Sequence, residues 1–330
     1  MWAYRLVAPN QLKMVDIAQP EIELLGEDEL LVRTLAGGIC GSDLPHFRGT
    51  VPLAKRYSDK VSMPGDVGFP LHEIVGQVIS ENRFLPAGSK VVGWAPAMNG
   101  LAEYVIVRNS DVICYENKFH PTEAVMIQPL ACVVDAMRWM KSDIPKVVAI
   151  IGLGPIGLLF AKVIKELGAE HVIGVDLVDR SSVADMFGID ECINVHSRIW
   201  AESIQSQSKR PDLIVEAVGH QVSTLVDAVH AVSSGGQVVY FGIPDDEVYP
   251  FPMYEFLRKN ARLVAGITQS RTSSLRVANE YLLHWRELPS AYITSVYTFA
   301  DAQSAFEEAH VPAPHRIKVV LDLWNTDAAH

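Results

Sequence analysis

The sequence predicts an α/β chain of two domains: a mainly antiparallel β domain, then a doubly wound sheet of six parallel strands. Three observations carry this expectation. A length of 330 residues exceeds what one compact domain usually holds. The first third reads as short alternating strands punctuated by Gly, Asn and Pro. From Lys146 onward, apolar strands alternate with helical segments. The changes of pattern place a first domain at 1–141, completed by 290–330, and a second at 142–289.

In the first domain the strands are "ELLVRTLAGGIC", "GFPLHEIVGQVISE", "GSKVVGWAP" and "GLAEYVIVR". Their β-branched residues and period of two suit a half-buried antiparallel sheet. "PTEAVMIQPLACVVDAMRWMK" then has helical spacing, with Pro121 and Thr122 suited to a helix start. "KVVAII" is a continuous apolar run, as expected of a strand covered on both faces. "PIGLLFAKVIKELG" follows as an amphipathic helix closed by Gly168. Next come "HVIGVD", a helix through "VADMFG", "ECINV", "DLIVEAV", a helix near "VSTLVDAVHAV", "GGQVVYFG" and "ARLVAGI". Six strands with helical crossovers match a doubly wound dinucleotide fold. The tail, "YTFADAQSAFEEAH" and "HRIKVVLDLW", reads as a helix and a strand returning to the first domain.

Composition narrows the function. With 49% hydrophobic and 20% charged residues the chain is globular. A formal charge of −11 argues against nucleic acid and against anionic membrane surfaces as partners. The N-terminus has no secretory pattern, and the longest uncharged run, 147–161, is too short to span a bilayer. Cys40, Cys114, Cys132 and Cys192 form no CxxC pair, so reduced thiols and a cytoplasmic setting are expected.

"AIIGLGPIG" places Gly152, Gly154 and Gly157 directly after a strand and at the start of a helix. The first glycine permits the tight turn, the second lets backbone approach a pyrophosphate, and the third lets helix and strand pack closely. Pro155 and Ile156 then open the helix whose N-terminus faces the phosphates. Asp176 ends the next strand about 20 residues on, where a carboxylate accepts from the ribose hydroxyls and repels a 2′-phosphate. NAD is therefore expected in preference to NADP. Arg180 is assigned to the adenine face, and Val218 and Gly242 complete the expected cofactor contacts.

"GGICGSDLPHF" packs Cys40, Ser42, Asp43 and His46 behind two glycines. Taken alone it reads equally as a metal site, a nucleophilic cysteine or an ordinary loop. Ahead of a nucleotide fold it acquires a family. The chain resembles the medium-chain, zinc-dependent alcohol and polyol dehydrogenases over nearly its whole length. "GICGSD", "PLHEIVGQV", "GSKVVGW", "AEYVIV", "QPLAC", "GLGPIG", "VDLVDR", "EAVG" and "GGQVVYFG" occur in that family's order.

The resemblance implies a GroES-like fold for the first domain and a Rossmann fold for the second. It implies that Cys40 and His72 bind one catalytic zinc, with Glu73 in its coordination sphere or beside it, and that Ser42 starts a proton relay. Gln128 occupies the position where relatives supply glutamate or cysteine toward the metal. Zinc suits these donors, since thiolate and imidazole leave a position open for a substrate oxygen. There are departures. The relay histidine's usual position is Pro45, with His46 one residue further along. Leu71 replaces a glycine before His72. A stretch near 50–68, "RYSDKVSMPGDV", looks inserted, and it and "QSRTSS", read as a loop, are expected to shape substrate choice. The lobe that holds a structural zinc in many relatives is missing, so one zinc per chain is expected.

The implied activity is NAD-dependent oxidation of a secondary alcohol of a polyol, sugar or cyclitol, in a homodimer or homotetramer. Two other classes remain open on the sequence: a metal-independent NADPH quinone or enoyl reductase on the same fold, and a non-catalytic dinucleotide-binding protein.

Overall fold

A computed structural model describes residues 1–50, 65–80, 82–116, 118–140, 144–207 and 209–324. Most of the 50–68 insert lies outside the described residues. The chain divides into two compact units, 1–131 with 270–312 and 316–330, and 132–269 with 313–315.

The first unit begins with a hairpin, β1 (Trp2–Ala8) and β2 (Gln11–Asp16), turned through Asn10 at φ 57°. Then follow β3 (Glu29–Gly38), α1 (Asp43–Arg48), β4 (Glu73–Val78), β5 (Lys90–Trp94), β6 (Tyr104–Arg108), β7 (Val112–Cys114) and α2 (Pro121–Ala124). Helix α3 (Ile127–Met137) leads out of this unit. The second unit contains β8 (Val147–Ile151), α4 (Pro155–Glu166), β9 (His171–Asp176), β10 (Glu191–Asn194), α5 (Ser197–Ile204), β11 (Leu213–Glu216), α6 (Ser223–Ala231), β12 (Gln237–Tyr240), α7 (Met253–Arg258) and β13 (Arg262–Ala265). The chain then returns to the first unit through α8 (Arg271–His284), α9 (Leu288–Tyr292), β14 (Ile293–Thr298), α10 (Ala302–His310) and β15 (Lys318–Asp322).

In the first unit the main sheet runs β14-β15-β3-β4-β5-β7, with β6 also paired to β3. Its pairings are antiparallel except β14–β15, so the sheet is mixed. The parallel pair follows from its connection: α10 carries the chain from β14 back to the start of β15, as parallel neighbours require. β15 joins β3 with Val320 opposite Gly38, which brings the tail's only strand lysine beside the first unit's Cys40 turn. Tyr4, Phe47, Phe69, Leu71, Phe306 and Leu321 pack together in one core beneath this region.

The second unit is a parallel sheet in the order β10-β9-β8-β11-β12-β13, the doubly wound order with its switch point between β8 and β11. Ala149, Ile151, Ile214 and Val238 are buried against Trp200, Ala228 and Val229. Gly154 is the N-cap of α4 with Pro155 at its first turn, and Gly168 closes the segment at φ 105°.

Two readings change. "VADMFG" forms no regular helix. A 3-10 turn over Ser181–Val183 starts where Ser181 N–H donates to Asp179 Oδ1, and further turns carry the short link to β10. "QSRTSS" is not a loop: Ser270 precedes α8, and Thr272 donates to the Ser110 carbonyl.

Candidate active site

Cys40 leaves β3 in a turn that Asp43 closes. The Cys40 N–H donates to Asp43 Oδ2 at 2.9 Å, and the Asp43 N–H donates back to the Cys40 carbonyl at 3.0 Å. Asp43 is fully buried, and its other oxygen lies 2.8 Å from His72 Nδ1. One carboxylate thus ties the backbone of the thiol's turn to the imidazole and leaves Nε2 for other work. Burial alone would lower the pKa of His72, but Asp43 and the Cys40 thiol outweigh it and hold the value well above the ordinary imidazole range.

Glu73 starts β4 directly after His72 and is fully buried. Its Oε1 accepts from Lys318 Nζ at 2.7 Å, and Nζ also donates to the Ile39 carbonyl at 2.9 Å. Oε2 lies 2.6 Å from the same ammonium yet accepts no hydrogen bond. The pair needs Gly38, because a Cβ there would sit 2.3 Å from Oε2. Ligand atoms of Cys40, His72 and Glu73 lie within 4.8 Å of one another, the one such group among the described residues. A thiol, an imidazole and a buried carboxylate oxygen lacking a hydrogen bond are a donor set that fits zinc.

The remaining expected residues lie at or near the starts of α1 and α3. Ser42 is half-buried at the N-cap of α1, and its side chain makes no capping hydrogen bond. His46 is half-buried on α1, its ring edge-on to Phe69 with centroids 5.2 Å apart. Gln128 is buried at the second residue of α3.

In the second unit Gly152 adopts φ 94°, and a Cβ on Gly157 would fall 1.7 Å from the Gly152 carbonyl oxygen, so the helix can approach the strand only with glycine there. A Cβ on Gly154 would meet nothing within 4 Å, leaving the N-terminus of α4 open. Asp176 Oδ2 accepts from the Leu153 N–H at 2.5 Å, and Oδ1 accepts from the Val178 N–H at 2.7 Å. Its carboxylate therefore anchors the glycine turn as well as facing the end of β9. Arg180 is buried and donates to the carbonyls of Ala313 at 2.9 Å and Pro314 at 2.7 Å, which gives its guanidinium a structural task not foreseen from the sequence. Val218 N–H donates to Glu216 Oε1 at 3.1 Å, and Gly242 N–H donates to the Glu216 carbonyl at 3.1 Å.

Three residues escaped the sequence reading of the sites: Asp43's role, Lys318 and Glu216. Each of the last two is the one charged side chain inside an apolar strand, "KVVLD" before its final acid and "LIVE", and that is the signal that marks them.

A thiol, imidazole and carboxylate cluster in one unit and a six-stranded sheet of the dinucleotide-binding order in the other are the combination expected of an oxidoreductase of the alcohol dehydrogenase class. Comparison with known proteins agrees. Residues 26–117 match the model of the alcohol dehydrogenase GroES-like domain, and residues 155–282 match that of zinc-binding dehydrogenases. The chain is 24% identical over 332 residues to sorbitol dehydrogenase of Bacillus subtilis, covering 91% of each protein. It is 24% identical over 340 residues to D-arabitol-phosphate dehydrogenase of Enterococcus avium, covering 95% of this chain and 94% of that one. An alcohol dehydrogenase from Escherichia coli CFT073, solved with NADH, superposes with a TM-score of 0.81 at 21% identity, covering 98% of this chain and 99% of that one. The chain belongs to the zinc-dependent medium-chain dehydrogenase family.

Proposed function

We propose that the chain oxidises a secondary alcohol of a polyol, sugar or cyclitol to the ketone by zinc-assisted hydride transfer to NAD. The observation that carries this reading is the convergence of Cys40, His72 and Glu73 in a chain that also has an open glycine turn after β8. Relatives named for sorbitol and arabitol phosphate support a polyhydroxy substrate.

Cys40 Sγ and His72 Nε2 would hold the metal, with Glu73 Oε2 and the Gln128 amide oxygen as further donors. Zinc bound there supplies Lewis acidity to the substrate oxygen. Asp43 engages Nδ1 of His72, which leaves Nε2 as the nitrogen available to a metal. Ser42 takes the alcohol proton and passes it outward, with His46 further along α1 as a second member of the relay. NAD bound at the glycine turn would supply the acceptor for the hydride that leaves the carbinol carbon with its two electrons. Gly152, Gly154, Pro155, Ile156 and Gly157 receive the diphosphate. Asp176 retains acceptor capacity beyond its two backbone hydrogen bonds, and this serves the ribose hydroxyls.

We assign one zinc per chain, a cytoplasmic setting and a homodimer or homotetramer. Strand β13 is the sheet's edge, with Leu263 37% and nearby Ile267 75% exposed, and a second copy would cover it. Among the described residues no helix is long and apolar enough to cross a membrane.

Zinc analysis of the purified protein, combined with NAD reduction across alcohols, sugars and aminocyclitols, tests the reading. Stoichiometric zinc with turnover of a polyhydroxy alcohol is expected. A zinc-free protein that reduces quinones or enones with NADPH would replace it with the metal-independent reductase. Dinucleotide binding without turnover on any substrate would leave a binding protein.

A further inference from the structure

Within the second unit, the chain leaves β11 through two successive left-handed residues, Gly219 at φ 62° and His220 at φ 52°. Glycine takes such a backbone freely, whereas a histidine there costs free energy that its surroundings must offset. Residues held in this way cluster at ligand sites. His220 is held from the segment after β12. Its N–H donates to the Ile243 carbonyl at 2.8 Å. Its Nδ1 lies 2.5 Å from Asp245 Oδ1, and the Asp245 N–H donates in turn to the Tyr249 hydroxyl oxygen at 2.9 Å. The two strand ends also fit closely, since a Cβ on Gly219 would sit 2.6 Å from the Ile243 nitrogen. The imidazole is thus fixed in place, yet its side chain remains 27% exposed.

In a doubly wound sheet the ligand lies outside the carboxyl ends of the strands at the switch point, here between β8 and β11. His220 follows Glu216, the last residue of β11, by four positions. Val218, between them, packs against the glycine turn: a Cβ on Gly152 would meet Val218 Cγ2 at 2.6 Å. Val218 is 37% exposed and offers an apolar surface beside that turn. An ionised carboxylate only accepts, so the Asp245 contact places the imidazole proton on Nδ1 and leaves Nε2 as an acceptor. The two ring nitrogens point in nearly opposite directions. Asp245 belongs to the segment after β12, so Nε2 turns away from that side, and β8 with its glycine turn lies on the other side of β11. We propose that His220 reads the adenine base of the dinucleotide, with Val218 covering the ring and Nε2 accepting from the exocyclic amino group. Asp245 is the positioning residue that sets the tautomer. Adenine presents a donor at that position, whereas hypoxanthine presents an oxygen that would face a lone pair. This inference rests on the dinucleotide part of the proposed function.

The probes are NAD and nicotinamide hypoxanthine dinucleotide, which differ only at that position of the base, titrated calorimetrically into the full-length zinc-loaded protein. The wild type should bind NAD about tenfold more tightly. Asparagine and glycine both tolerate a left-handed backbone, so His220→Asn and His220→Gly remove the imidazole without straining the turn. Each should weaken NAD about tenfold, leave the hypoxanthine analogue near its wild-type Kd, and so abolish the preference. Thermal melting checks that both variants fold. In Asp245→Asn the amide can donate as well as accept, so the tautomer is no longer set and most of the preference should go. Asp245→Glu should retain part of it. His220 variants that weaken both dinucleotides equally would place the imidazole on a group the two share, and overturn the base reading. Equal affinity of the wild type for the two also overturns it, while turnover with NAD would then keep the dehydrogenase. Selective binding of NAD without turnover on any substrate keeps the base reading and removes the dehydrogenase. Binding of neither dinucleotide removes both.

Discussion

Lys318 and Glu73, 245 residues apart in sequence, form a buried ion pair in which one ammonium reaches both carboxylate oxygens and the Ile39 carbonyl. Both side chains are almost wholly inaccessible, at 2% and 1%. The attraction is strong in such surroundings, yet it chiefly offsets the desolvation of the two charges. Removing one partner is therefore far worse than never having had the pair. Lys318→Met should destabilise the protein by about 3–5 kcal/mol, measured by denaturant unfolding. Lys318→Arg should retain much more stability. The double variant Lys318→Met with Glu73→Gln should recover part of the loss, and strict additivity would show that the two residues are not coupled.

Asp43 acts on the donor cluster through the imidazole. Asp43→Asn removes the charge that fixes the His72 ring and leaves an amide against the Cys40 N–H. Zinc affinity, measured by competition with a chelator, should fall about 10–100-fold. An unchanged zinc affinity would separate Asp43 from the metal site.

These two contacts show how far the sequence could be read. The turn of Gly152 to Gly157 was legible because its chemistry is local, compressed into one strand-to-helix junction. Cys40, His72 and Glu73 were legible as residue types in a characteristic order. Lys318 was not, since a single lysine in a short strand says nothing until β15 is known to lie beside β3. Asp43 stood in the quoted motif, but its task depends on a histidine 29 residues away. The β1–β2 hairpin was missed because its turn relies on Asn10 in a left-handed conformation, not on a glycine. The parallel placement of β14 likewise depends on where α10 packs, which local periodicity does not encode.

Asp176 combines two tasks, and substitution should separate them. Asp176→Asn removes the charge that repels a 2′-phosphate, so the ratio of kcat/KM for NAD over NADP should fall sharply. It also replaces one of the two acceptor oxygens held by the Leu153 and Val178 N–H groups, so KM should rise for both cofactors. A wild type that uses NADP as well as NAD would sink the assignment, and would turn attention to other residues near the end of β9.

Ser42 is expected to matter for the proton and not for the metal. Ser42→Ala should lower turnover about a hundredfold or more with zinc content unchanged. His46→Ala should do less, because it stands four residues further along α1 and packs against Phe69. Full activity and an unaltered pH profile in Ser42→Ala would end the relay assignment.

Glu216 gives a pH-dependent expectation in the second unit. It is fully buried at the end of β11, beside the switch point, with Oε1 accepting from the Val218 and Gly219 N–H groups and Oε2 unpartnered. Burial raises its pKa, against the nearby Thr224 hydroxyl and the 218, 219 and 242 backbone N–H groups, which favour the ionised form. The folded chain thus binds this proton more tightly than the unfolded chain does. Its contribution to stability is fully present at pH below the ordinary carboxylate range and is lost as pH rises through the raised native value. Glu216→Gln keeps an acceptor for the two N–H groups and cannot ionise. The stability of the variant relative to wild type should therefore increase with pH across that window and then level off. Denaturant unfolding of both proteins over a pH series measures the difference. A difference that stays flat, or falls as pH rises, would mean that the buried acid is held ionised by its backbone donors.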